Sequence, residues 1–329
     1  MKKNVNLYIH PGYGKTGSTL LQEKIFSKIN FICLSKPFKT SQYPELKELQ
    51  TKLFIPKYSF DQIYPLNFSR AIEQYSNYLK KILHGTKIEN FILSDECIFD
   101  RINYFGYFNI YLLKEIIDIL KKEFSLNLKF IVSIRRQHDL VPSLYAFDNF
   151  RQKKNFGSLS NFIELLEIEE DLKRIFFYDE LIERIKNNFN SEILILPIEE
   201  LSLNKSSYIQ KLEDFLKVKL NDLDWSNHNV NSINVNDQIK YKVRTLDFRS
   251  SVMSMVSNMH FFFLRRNNFY KKNFTKLRFL KKYLNPKISY KNVITLNNDQ
   301  VIKIKNLYKD SNKKLAKNLN IDLEKLDYF

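Results

Sequence analysis

Near the start of the chain, "LYIHPGYGKTGSTLLQEKIF" places three glycines, a lysine and three hydroxyl side chains between an apolar run and a helical pattern. The backbone N–H groups of such a turn and the start of the helix behind it converge on an anion, with Lys15, Thr16, Ser18 and Thr19 as further donors. The nucleoside-triphosphate loop G-x-x-x-x-G-K-[ST] fits in neither available register. If Gly14 is the second glycine, the first should stand five residues earlier, at Ile9. If Gly12 and Gly17 are the pair, Ser18 occupies the lysine position. An ordinary kinase or NTPase is disfavoured, and a nucleotide-dependent kinase of related fold stays open as an alternative.

A second stretch, "FIVSIRRQHDLVPSLYAF", ends an apolar run at Arg135 and places Ser143 eight residues later, near the start of a helix that Pro142 could begin. An arginine fork and a hydroxyl beside a helix N-terminus suit a phosphate monoester. The alternative for Arg135 is a surface ion pair at a strand end.

With these two stretches in view, the chain resembles the sulfotransferases that use 3′-phosphoadenosine 5′-phosphosulfate (PAPS). "HPGYGKTGSTLLQ" is similar to their 5′-phosphosulfate loop, and "RRQ…SLY" resembles the 3′-phosphate segment of bacterial members. Fainter likenesses lie in "ILILPIEEL" and in "YKDSNKKLAKNLNIDL", which looks like the closing helix of bacterial members. Residues 35–85 and 225–295 carry no recognisable likeness.

The resemblance implies that Gly14, Lys15, Thr16, Gly17, Ser18 and Thr19 hold the 5′ end of PAPS, with Arg135 and Ser143 on its 3′-phosphate and 3′,5′-ADP as product. It implies sulfuryl transfer to a hydroxyl, less readily an amine, of a carbohydrate or glycolipid-like acceptor. Metal is not implied, because Lys15 and the loop donors can neutralise the charge. The acceptor needs a base. The first candidate is Glu96 in "FILSDECIF", where an apolar run ends at the kind of edge on which α/β sheets place sites. Asp95 is the alternate carboxylate, and Ser94 would bind or orient. The other reading of Asp95 and Glu96 is that they cap the next helix. His10 and His138 are further base candidates, each also readable as a hydrogen-bonded structural residue.

The elements that must position these residues follow from periodicity. Short β-branched and aromatic runs at residues 5–9, 31–34, 90–93, 128–134 and 192–196 alternate with longer patterns, which predicts a mostly parallel sheet with helices on both faces. "LKFIVSI" is apolar at nearly every position, as in a strand buried on both faces. Apolar spacing of three and four predicts helices over 19–26, 108–124, 159–176, 207–217 and 297–315. The proline-bearing segment 34–66 is expected to form loops and short helices, a lid or acceptor-facing insertion. Residues after 224 are expected to be irregular, then Lys/Arg-rich helix through 282. The expected organisation is a P-loop NTPase-like α/β core over 1–224 and a basic helical extension over 225–329 packed on it.

Composition narrows the partners. The chain has 329 residues, with 53 Lys and Arg against 36 Asp and Glu, a net charge of +17 that favours anionic partners. An overall Lys, Asn and Ile bias accounts for the charge equally well. Cys33 and Cys97 form neither a C-x-x-C nor a His/Cys grouping, so no zinc site is suggested and a reducing cytoplasm is the simplest setting. The apolar run after Met1 is too short for a signal peptide. The tract "HFFFLRRNNFYKKNFTKLRFLKKY" suits an anionic glycan, a peripheral contact with a membrane surface, or a helix with a solvated face. No module for reading nucleic acid is visible. A non-catalytic module for anionic glycans is the alternative from another class, and the oligomeric state is left open.

Overall fold

The computed structural model describes residues 2–11, 14–34, 68–95, 106–147, 157–220, 232–235, 238–246 and 288–329. In chain order these form β1 (Lys3–His10), α1 (Ser18–Leu20, running into a π-helical turn over Leu21–Phe26), β2 (Ile32–Cys33), α2 (Phe68–His84) and β3 (Asn90–Ser94). There follow α3 (Gly106–Lys121), β4 (Phe124–Ile134), α4 (Gln137–Phe147), α5 (Leu159–Ile168), α6 (Glu170–Arg174), α7 (Tyr178–Asn188) and β5 (Glu192–Pro197). The rest comprises α8 (Ile198–Leu203), α9 (Lys205–Leu216), β6 (Ser232–Val235), β7 (Gln238–Leu246), β8 (Ile288–Ile294) and α10 (Asn298–Leu319).

The five strands expected from their apolar runs are all present and all parallel, in the order β2-β3-β1-β4-β5. β1 is paired on both edges, so its second half is buried throughout, as is β4 from Leu128 to Ile134. Alternation of side chains then defines two faces. One face presents Tyr8, Ile92, Ile131 and Leu196 to Leu21, Ile25 and Phe26 of α1 and to Tyr208, Leu212 and Leu216 of α9. Lys129 lies on this face and is nearly buried. Its Nζ is 3.2 Å from Glu192 and lies over the rings of Tyr8 and Phe215 at 5.9 and 5.3 Å, so the charge is both paired and packed. The other face is covered by α3 and α7, with the Phe130 ring 5.1 Å from that of Phe189.

Register is fixed by polar ladders as well as by packing. Asn6 donates to Asn90 Oδ1 at 2.8 Å and accepts from Asn127 at 2.9 Å, so three facing asparagines link β3, β1 and β4. A slip of one residue would turn them to the opposite face and break both of these hydrogen bonds.

Two compact units divide the chain: residues 1–140, 165–228 and 301–329 in one, and 141–164 with 229–300 in the other. The second contains the antiparallel sheet β6-β7-β8, with a bulge at Val243/Arg244 and an apolar cluster of Ala146, Tyr241 and Ile294. The helix expected near the end of the chain is present as α10. The three strands were not expected: Ser232–Val235 replaces irregular chain, and Gln238–Leu246 replaces helix. The strict alternation in "QIKYKVRTL" is a strand signal that its basic residues obscured. The rest of the Lys/Arg-rich helix expected through 282 and, beyond Leu34, the lid expected over 34–66 lie outside the described residues. Among the described residues, no helix is long and apolar enough to cross a membrane.

Ile131 is fully buried between two helices on the central face. Ile131→Ala should lower the unfolding free energy by about 2–5 kcal/mol through lost transfer energy and the cavity left behind, read from urea unfolding at constant slope.

Candidate functional site

β1 is central, and the order of the strands makes the chain leave it toward β2 on one side, whereas β4 on its other side leads out to β5. The crevice at the carboxyl ends of β1 and β4 is therefore a topological switch point, where open α/β sheets bind ligands. Both sequence stretches with anion-binding character emerge there: the glycine loop follows β1, and Arg135 follows β4.

In the loop, Gly14 is buried, Lys15 is half-buried with φ 69°, Thr16 is fully buried, and Gly17 has φ 86°. Ser18 begins α1 and is buried, and Thr19 is half-buried. Lys15 adopts a left-handed conformation that costs a non-glycine residue energy, so the loop holds it there by its surroundings. Gly17 is favoured by its left-handed φ, and a Cβ there would lie 2.5 Å from Ile198 Cδ1, a side-chain end that would have to turn aside. Ile198 opens α8, so the loop is seated against the end of β5. Gly12 lies outside the described residues.

Arg135 bridges the two stretches, its Nη1 donating to the Lys15 carbonyl at 3.1 Å. Arg136 faces a different environment. It pairs with Asp139 at 2.6 Å, Glu199 at 3.7 Å and Asp327 at 3.5 Å, and its N–H donates to Glu199 Oε1 at 3.0 Å. Burial works against the Arg136 charge, and the carboxylates of Asp139, Glu199 and Asp327 more than offset it, so its pKa is raised. Of the two adjacent arginines, the first reaches the loop and the second anchors the strand end.

Ser143 is placed differently from expectation. The helix starts at Gln137, and Pro142 sits inside it, so Ser143 lies mid-helix, beyond the reach of the N-terminal dipole. The cause is local: Leu140 already donates to the Arg136 carbonyl at 2.8 Å, closing the first turn before the proline is reached. What remains for Ser143 is its place in the resemblance.

Next to the loop a buried polar layer spans three strands. His10 has no exposed surface; its Nδ1 is 2.7 Å from Ser94 Oγ and its Nε2 is 3.2 Å from Ser133 Oγ. Burial lowers its pKa to about 3, so at neutral pH the imidazole is uncharged and joins β3, β1 and β4. Gln22 of α1 donates to the same Ser94 hydroxyl at 2.8 Å, while its buried Oε1 accepts no hydrogen bond from the described residues. π-helical turns such as the one that carries Gln22 are frequent at functional sites. Asp95 follows β3, is buried, and donates its N–H to the His10 carbonyl at 3.2 Å. Glu96, the neighbouring carboxylate, lies outside the described residues.

His138 is mostly buried in α4, 3.6 Å from Asp327. Burial first, with Arg136 and Lys305 adding to it, lowers its pKa to about 4 against the opposing pull of Asp139 and Asp327.

Sequence reasoning missed the partners that hold the strand end. The Tyr178 hydroxyl donates to the Arg135 carbonyl at 2.5 Å, and Tyr328 donates to Glu199 Oε2 at 2.9 Å. An acidic residue two positions after the apolar run of β5 was the one available signal for Glu199.

Fold and site together define a doubly wound parallel α/β protein with a glycine loop and an arginine at its switch point. No family model matches the chain, and no curated protein matches it. Among solved structures it is similar to the "Sulfotransferase Domain from the Synechococcus PCC 7002 Olefin Synthase", at 12% identity over 70% of this chain and 83% of that one, with TM-score 0.35. The "Crystal Structure of Sulfotransferase from Alicyclobacillus acidocaldarius" matches at 13% identity over 69% and 86%, with TM-score 0.38. Superposition this loose transfers no residue role.

Two outcomes follow for the site. Gly17→Ala should cost about 1–3 kcal/mol from the left-handed backbone alone, and combining it with Ile198→Val should recover only the steric remainder, both read by denaturant unfolding. His10 has a folded pKa of about 3 against 6.5 for the free side chain. The unfolded chain therefore binds the extra proton between these values, and stability is lost as pH falls from 6.5 toward 3. His10→Gln should flatten that dependence by up to about 1.4 kcal/mol per pH unit, measured by urea unfolding from pH 7 to 4.

Proposed function

We propose that the chain transfers a sulfuryl group from PAPS to a hydroxyl of a carbohydrate or glycolipid-like acceptor. The observation that carries this reading is the hydrogen bond from Arg135 to the Lys15 carbonyl across the switch point. It sets two cationic elements side by side, an arrangement that supports a ligand with more than one anionic group. PAPS has such groups in its 5′-phosphosulfate and its 3′-phosphate; ATP has no 3′-phosphate. The turn of the loop supports it too, because Gly17 takes a left-handed φ that glycine adopts without strain.

Bound PAPS supplies an activated sulfuryl group with a phosphate as leaving group. Lys15, the loop N–H groups and the hydroxyls of Thr16, Ser18 and Thr19 stabilise the charge that grows on that phosphate, and they do so from fixed positions. Arg135 takes the 3′-phosphate, together with Ser143 by resemblance. The proton of the acceptor hydroxyl goes to a carboxylate after β3, assigned to Glu96 with Asp95 as its neighbour. His10 does not suit the task, since both ring nitrogens are engaged and its pKa of about 3 makes it a weak base. It keeps Ser94 in place instead. No metal is invoked for charge neutralisation.

The test is thermal shift followed by transfer. 3′,5′-ADP should raise the melting temperature of the wild-type chain, and Lys15→Ala and Arg135→Ala should each remove most of the rise. Labelled sulfate from PAPS should appear in a glycan or glycolipid fraction, and Glu96→Gln should abolish that transfer while leaving the shift intact. Tight binding of ATP with Mg²⁺ and no preference for a 3′-phosphate would instead indicate a kinase. PAPS binding with no transfer to any acceptor would indicate a binding module.

A further inference from the structure

One peptide unit at the end of β4 is held from both sides by buried side chains. The carbonyl of Arg135 accepts from the Tyr178 hydroxyl at 2.5 Å, and the next N–H, that of Arg136, donates to Glu199 Oε1 at 3.0 Å. The Arg135 N–H also points to the Tyr178 oxygen, at 3.4 Å. The two holders are themselves fixed. Tyr178 is fully buried at the first position of α7, next to Phe177, whose ring packs 5.7 Å from that of Tyr308. Glu199 is buried at the start of α8, and its second oxygen accepts from Tyr328, whose carbonyl accepts from Asn312 at 3.1 Å.

Strand pairing alone does not require this. β4 ends at Ile134, paired with Pro197, so the Arg135–Arg136 peptide lies beyond the last rung of the sheet. Without the two holders it is tethered on the Arg136 side through the first turn of α4 and the Arg136 ion pairs, which leaves the peptide, and the Arg135 side chain with it, more room to turn. Ordering a long cation on binding costs side-chain and backbone entropy, and a backbone already fixed removes part of that cost before the ligand arrives. Supporting shells of this kind decide whether a binding group sits within a few tenths of an ångström of its working position.

We propose that Tyr178 and Glu199 are positioning residues for the 3′-phosphate: they clamp the Arg135–Arg136 peptide so that the Arg135 guanidinium is directed at the loop. The proposal rests on the PAPS reading above. Tyr178 and Glu199 act through the backbone, so their removal should act first on what Arg135 reads. It should reach the Lys15 loop at the 5′ end only through the hydrogen bond from Arg135 to the Lys15 carbonyl, and therefore more weakly.

The experiment compares affinities for 3′,5′-ADP and 5′-AMP by calorimetry on the full chain. In the wild type the ratio reports the 3′-phosphate. Tyr178→Phe, which removes one hydroxyl and no bulk, should lower that ratio about tenfold, the size expected for losing one hydrogen bond that acts on a charged group. It should weaken 5′-AMP binding much less than 3′,5′-ADP binding and add nothing further in an Arg135→Ala background. Glu199→Ala should act in the same direction, and Glu199→Gln, which can still accept from the Arg136 N–H, should restore most of the ratio. If Glu199→Ala does not fold, Tyr178→Phe carries the test, with its circular dichroism and melting temperature as controls. A merely structural role would weaken both ligands together, and that outcome overturns the clamp. A wild-type ratio retained in Tyr178→Phe also overturns it while the PAPS reading stands. A wild-type ratio of one overturns the PAPS reading and this role with it.

Discussion

The site depends on the double parallel pairing of β1. A strand hydrogen-bonded on both edges has no freedom to slide or tilt, and parallel neighbours end at the same edge of the sheet. His10 faces Ser94 in register, and β4 runs on past it to Ile134. The loop after β1 and the arginine after β4 therefore meet because the strands leave them no other place. Within that constraint the loop's unusual backbone is affordable: the left-handed Lys15 and Gly17 are braced by Arg135 on one side and Ile198 on the other.

The polar layer under the loop solves a problem that the same pairing creates. Burying the end of β1 buries His10 as well, and a buried charged imidazole would be expensive. Two serine hydroxyls, one from each neighbouring strand, satisfy both ring nitrogens of the neutral form. Gln22 then shares the Ser94 hydroxyl, which attaches the first helix to the sheet at the point where the loop turns into it. The imidazole that sequence reasoning offered as a proton acceptor thus joins strands, and its shifted pKa records burial.

Much of this was legible before any coordinates. The five runs of apolar, β-branched residues gave the parallel sheet because a doubly buried strand must be apolar on both faces, and 128–134 could hardly be anything else. Lys15 and Arg135 stood out because glycine spacing and a cation at the end of an apolar run are both local signals. What stayed hidden was non-local. Tyr178 is an unremarkable aromatic forty-three residues from Arg135, and only folding brings its hydroxyl to that carbonyl. Pro142 misled because proline is common at helix starts, yet Arg136 and Asp139 begin the helix earlier and carry it past the proline. The strands at 232–235 and 238–246 were masked by lysine, arginine and asparagine, whose solvated faces read equally well as loop or helix.

The asparagine ladder at the far edge of the sheet has one more meaning. Asn90, Asn6 and Asn127 fasten the amino-terminal half of the central strands, and Ser94, His10 and Ser133 fasten the other end, all six side chains being electrically neutral near pH 7. Lys129, on the same face, is matched by Glu192. The polar side chains in the middle of that face are thus neutral or paired. For an approaching anion, the potential at the switch point is then shaped by the cations beyond the strand ends. The side chains that hold the sheet together and those that attract a ligand are separate sets.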